Sequence, residues 1–105
     1  MAATELVDRY FELARQRGDA RYLAQFESDA AVEDEGLTYR GIDAIRDWRG
    51  AVPAVSYAVR DVRVAGDETV ALAQISGDFP GSPVDLSFRF TFTSSGSIQA
   101  LAIRT

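Results

Sequence analysis

Ser28-Asp29-Ala30-Ala31-Val32-Glu33-Asp34, followed by Tyr39-Arg40-Gly41 and Ile42-Asp43-Ala44-Ile45, is the stretch that decides how this chain is read. Ala31 to Asp34 reads as a short apolar strand that ends in a carboxylate. Glu35 and Gly36 turn the chain, and Leu37 to Tyr39 pairs back as a hairpin arm. Gly41 then opens a helix with Ile42, Ile45 and Trp48 on one side, ended by Gly50 and Pro53.

Upstream lie two more helical patterns. Thr4 is placed to cap the first, with Glu5 in its first turn, where negative charge is favoured. Leu6, Val7, Tyr10, Phe11, Leu13 and Ala14 make a broad apolar stripe at helical spacing. Gly18 predicts a left-handed cap at the end of this helix, and Asp19 caps a second helix whose apolar side is Tyr22, Leu23 and Phe26. Downstream of Pro53 the pattern turns from helical to alternating. Four strands are predicted, at about Val55 to Val64, Thr69 to Asp78, Val84 to Thr93 and Ser97 to Arg104, with breakers at Gly66-Asp67, Pro80-Gly81-Ser82-Pro83 and Ser94-Ser95-Gly96. In the third, Val84, Leu86, Phe88, Phe90 and Phe92 alternate with polar residues. Helices followed by a meander predict an α+β fold: three N-terminal helices packed on a curved antiparallel sheet, as one domain over residues 1–105.

Composition removes whole classes of chemistry. The 105 residues carry a net charge of −5, which works against nucleic-acid binding. No apolar run approaches membrane-spanning length and no secretory pattern opens the chain, so a cytoplasmic protein with no membrane partner is expected. All 11 cationic side chains are Arg, and there is no Lys, His or Cys. Thiolate nucleophiles, imidazole bases, Ser-His triads and His- or Cys-ligated metals are excluded, and a lysine Schiff base with them. The acids lack a ligand-type spacing, since Glu33 and Asp34 as strand neighbours face opposite ways; no metal and no cofactor is expected. What remains is proton chemistry by carboxylates and phenols.

The order of elements, with Val32-Glu33-Asp34 and the following glycine-led helix, resembles the nuclear transport factor 2-like superfamily, which includes ketosteroid isomerases and SnoaL-like polyketide cyclases. The resemblance spans nearly the whole chain and implies a cone with a blind apolar pocket between helices and sheet. In the isomerases the Asp of a matching Val-Glu-Asp is the catalytic base, which implies that role for Asp34. A carboxylate leaving a strand toward an apolar cavity is desolvated and so a stronger base. A helix-1 Tyr of the isomerases donates to the developing enolate oxygen, a position that Tyr10 matches in local context. The isomerases complete the oxyanion site with a protonated Asp on a late strand; here Phe88 stands there and cannot donate. Glu35 replaces the Pro that usually follows the base. SnoaL-like cyclases take a key acid from a later strand, where Asp78 and Asp85 are the nearby acids; Asp78 reads as an exposed rim residue, and Asp85 alternates away from the phenylalanine face.

Phe26, Trp48, Tyr57, Phe88, Leu101 and Ile103 are the candidate walls of a pocket for a small apolar ligand, each of them equally readable as ordinary core. Arg60, Arg63 and Arg89 fall on the outer sheet face, through which the resemblance implies a homodimer. Three functions stay open on these residues: an isomerase, dehydratase or cyclase with Asp34 as base; a non-catalytic binder of an apolar metabolite; and a dimerising module whose cone is filled by Trp48, Phe88 and Phe26.

Overall fold

A computed structural model of the chain describes residues 2–16 and 18–105. Its element order is α1 (Ala3–Arg15), α2 (Ala20–Leu23), β1 (Phe26–Asp34), β2 (Leu37–Arg40), α3 (Ile42–Ala51), β3 (Val55–Ala65), β4 (Glu68–Gly77), β5 (Val84–Phe92) and β6 (Ile98–Arg104). The six strands form one sheet in the order β2-β1-β6-β5-β4-β3. The expected α+β architecture is present, with one correction. The sheet is mixed rather than antiparallel, because β1 and β6 run parallel, with Val32 opposite Leu101 and Asp34 opposite Ile103. The other neighbours pair antiparallel. The last strand of the meander takes the free edge of the hairpin strand made before it, and a pairing between residues so far apart leaves no local mark in either strand.

Register shifts between Val59 and Asp61 on β3, and between Phe26 and Ala31 on β1, add local twist that helps to curve the sheet. The helices lie in the hollow of that curve. Val7, Tyr10 and Phe11 of α1, Tyr22 of α2 and Ile45 of α3 meet Val32, Phe88, Phe90 and Leu101 from the sheet in one core. Phe11 meets Phe88 edge-on at 5.0 Å between ring centres, and Tyr10 meets Phe90 at 5.1 Å. Burying each such ring contributes roughly 2–3 kcal/mol.

The helix ends differ from expectation in ways that bear on the site. Ala2, not Thr4, occupies the cap of α1, and Glu5 folds back to accept a hydrogen bond from the Ala2 amide. α1 ends at an extended Gln16, ahead of Gly18, so Gly18 does not supply its cap. The carbonyls near that end are met instead by the Arg49 guanidinium, arriving from α3. Asp19 precedes α2 but gives its carboxylate to Arg49 rather than to the helix amides. α2 is a single turn, so Phe26, expected on its apolar side, instead begins β1.

Candidate functional site

Ala30, Val32 and Asp34 follow one another at two-residue spacing on the inward side of β1. The first two are fully buried. Asp34 is the third and emerges, half-buried, where the core gives way to an open cavity of about 1640 Å³ between the helices and the sheet. Glu33 turns to Arg104, whose guanidinium donates to both carboxylate oxygens at 2.9 and 3.1 Å. That fork holds the Glu33 carboxyl below its usual range.

Asp34 is held from α3. The indole Nε1–H of Trp48 donates to its Oδ2 at 3.1 Å. An indole can only donate, so this contact anchors one carboxylate oxygen and leaves Oδ1 for other partners. Gly41, at a φ of +88° that a side chain disfavours, starts α3 directly after the β2 arm and thereby sets Trp48 across the hairpin. Tyr39 packs beside that indole at 6.3 Å.

Tyr10 lines the same cavity, with Tyr22 beside it. Their hydroxyls share a buried hydrogen bond of 2.8 Å in which either oxygen can donate. Whichever way that bond runs, a neutral pair carries two hydroxyl hydrogens and spends one between the oxygens. The second is not used in that bond, and both residues belong to the cavity lining. Burial raises the pKa of both phenols, so the pair stays neutral and acts as a donor rather than a base. Tyr57 adds a third phenol on β3, also shifted upward by burial and pulled back by Arg49 and Arg15.

Of the residues singled out from sequence, Asp34, Tyr10, Trp48, Tyr57, Phe88 and Ile103 all line this cavity. Phe26 and Leu101 do not: Phe26 packs on Tyr22 at 5.5 Å, and Leu101 is buried in the core opposite Val32 and Phe90. A residue alternating inward near the closed part of the cone fills it instead of lining its mouth. Phe88 lies on the inward side of β5 against Tyr10, Phe11 and Tyr57. Asp78 and Asp85 are exposed and outside the cavity walls. Trp48 and Phe88 belong to the buried core cluster and also form part of the cavity lining.

Three contributions were missed in the sequence. Tyr22 looked like an apolar helix residue, Arg49 was one arginine among the 11, and Trp48 looked like a wall rather than a donor to Asp34. The only available signal was spacing: Trp48 and Arg49 are neighbours on one helix turn, which fans them toward different parts of the cavity. Among the described residues, no group of three acids is placed to hold a metal ion. No helix among them is long and apolar enough to cross a membrane.

Residues 7–98 match the sequence profile of the SnoaL-like domain. The chain belongs to the SnoaL-like family. A Sinorhizobium meliloti protein of known structure, proposed to be a polyketide cyclase, is 37% identical to this SnoaL-like domain; the match covers 95% of this chain and 94% of that one, with a TM-score of 0.84. A protein from Sphaerobacter thermophilus superposes with a TM-score of 0.85 at 24% identity, over 99% of this chain and 95% of that one. A Catenulispora acidiphila protein with a ketosteroid isomerase-like fold, solved with trimethylamine, gives 0.81 at 18% identity, over 99% and 87%. The last two likenesses show the fold. A search of curated protein sequences finds no match.

Proposed function

We propose that this SnoaL-like domain is an isomerase, dehydratase or cyclase that uses Asp34 as general base on a small hydrophobic carbonyl compound. The observation that carries this reading is that Asp34, anchored through one oxygen by Trp48, opens onto the same cavity as the Tyr10–Tyr22 hydroxyl pair. The free oxygen of Asp34 takes a proton from the carbon next to the carbonyl. The electron pair moves onto the carbonyl oxygen, and the spare hydroxyl hydrogen of the tyrosine pair stabilises the enolate. The proton then returns at another carbon, leaves with a β-hydroxyl as water, or passes to the alkoxide oxygen formed when the enolate carbon adds to a second carbonyl of the same molecule and closes a ring. A relative at 37% identity, proposed to be a polyketide cyclase, supports including ring closure.

The test is exchange of the α-hydrogens of a small cyclic ketone with deuterated water, followed by NMR. Wild type is expected to accelerate exchange in proportion to enzyme concentration, and Asp34→Asn to lower that acceleration by roughly a hundredfold or more. Equal exchange with both proteins would remove Asp34 from the chemistry.

A second reading has its own observation. Phe88 occupies the inward position on β5 where a second acidic donor would complete an oxyanion site, and the Tyr10 hydroxyl is already engaged by Tyr22. Losing one such donor costs on the order of a hundredfold in rate. A non-catalytic binder of an apolar metabolite would show saturable, ligand-dependent stabilisation without exchange, unaffected by Asp34→Asn.

A further inference from the structure

Arg49 has more partners than a surface arginine needs. Its Nε meets Asp19 Oδ1 at 3.1 Å, and its Nη2 donates to the Gln16 carbonyl at 2.8 Å, with the Leu13 and Gly18 carbonyls each at 3.5 Å. These contacts fix the guanidinium against the end of α1 and the start of α2. From there its central carbon lies 3.8 Å from the centre of the Tyr22 ring. The side chain is 14% exposed, so water screens this charge only weakly. Tyr22 in turn holds the Tyr10 hydroxyl. One turn of α3 thus grips both halves of the site: Trp48 holds Asp34, and Arg49 holds the ring that orients the donor pair.

We propose that Arg49 is a positioning residue for the Tyr10–Tyr22 pair, and that its fixed charge makes this side of the cavity prefer a ligand oxygen carrying negative charge over a neutral one. The inference rests on the reading of the cavity as a proton-transfer site, and it deepens that reading. A guanidinium stacked on the phenol ring favours electron density arriving at the hydroxyl end, and its planar fork is what allows stacking and carbonyl contacts at once. The direction of the electrostatics agrees: Arg49 lowers the proton affinity of Tyr10, Tyr22 and Tyr57 against the upward pull of burial. A residue that only tied helices together would affect all ligands alike.

The experiment compares two probes of similar size, phenol and a polyfluorinated phenol that is ionised at neutral pH. Both are titrated into Asp34→Asn protein, so that the carboxylate does not repel the anion. The ionised probe is expected to bind more tightly. Adding Arg49→Met should weaken the ionised probe by about tenfold and leave phenol within roughly twofold, and Arg49→Lys should fall between. Arg49→Gln, which removes the charge while keeping a side chain able to donate to the α1 carbonyls, carries the test if Arg49→Met does not fold, and should weaken the ionised probe alone. Equal losses for the two probes, no loss for either, or no binding of either probe to Asp34→Asn protein would overturn the proposal. Because binding is read without turnover, an Arg49-dependent preference in a protein with no exchange activity would support this inference while sinking the proton-transfer reading.

Discussion

Trp48 donates its single indole hydrogen to Asp34, and Tyr10 and Tyr22 consume one hydroxyl hydrogen between them, so each half of the site presents a defined chemical face. The tyrosines also leave a signature in stability. Both are held protonated beyond the pH at which a free phenol ionises, with burial as the main cause. Above about pH 10 the unfolded chain therefore loses these protons first while the folded chain keeps them. Stability from this source is intact below that pH and falls above it, by about 1.4 kcal/mol per pH unit for each phenol concerned. Urea unfolding at pH 9, 10 and 11 should show midpoints dropping on the alkaline side, and Tyr10→Phe with Tyr22→Phe should flatten the fall. A midpoint independent of pH in both proteins would mean that the hydroxyls reach water. Asp34 was singled out in the sequence because Val32-Glu33-Asp34 resembles the motif of the isomerases and closes a short apolar strand. Tyr22 and Arg49 were not, because a phenol and a guanidinium on short helices carry no mark of which distant side chain they meet.

At the scale of elements, legibility followed locality. The alternation in β5 and the breakers around Gly66, Pro80 and Gly96 placed β3 to β6 within a residue or so, because a half-buried strand writes its pattern every second residue. The start of α3 also followed from Gly41, and its last residue, Ala51, falls between the Gly50 and Pro53 expected to end it. β1 was recognised only from Ala31 onward, since Glu27, Ser28 and Asp29 are polar and sit beside a register shift that breaks alternation. The end of α1 was misread for a related reason. Gly18 suggested a self-contained cap, but the carbonyls there are satisfied by Arg49 from a helix some thirty residues away. Long-range satisfaction of a helix end and parallel pairing of β1 with β6 are both tertiary events, and neither leaves a local pattern.

Over the whole molecule, the curved mixed sheet leaves its outer side without a helix layer. Leu72 stands exposed there in the middle of β4, flanked by the Arg60–Gln74 and Arg89–Glu68 contacts. An apolar centre ringed by charge suits a homodimer through this face. Sedimentation velocity at micromolar concentration is expected to give a dimer, and Leu72→Glu a monomer with the cavity intact; a wild-type monomer would sink that assembly. The cone itself, with its base, its donor pair and its open apolar walls, is the account's central claim. The chain contains a single Trp, so its indole N–H gives one resonance that reports directly on Asp34. The measurement is the proton–nitrogen NMR shift of that resonance in wild type and in Asp34→Asn, each titrated with a small cyclic ketone. A resonance displaced by the substitution, and moved saturably by the ketone in wild type, is the expected result. An indole signal that neither Asp34→Asn nor the ketone shifts would contradict the site as described.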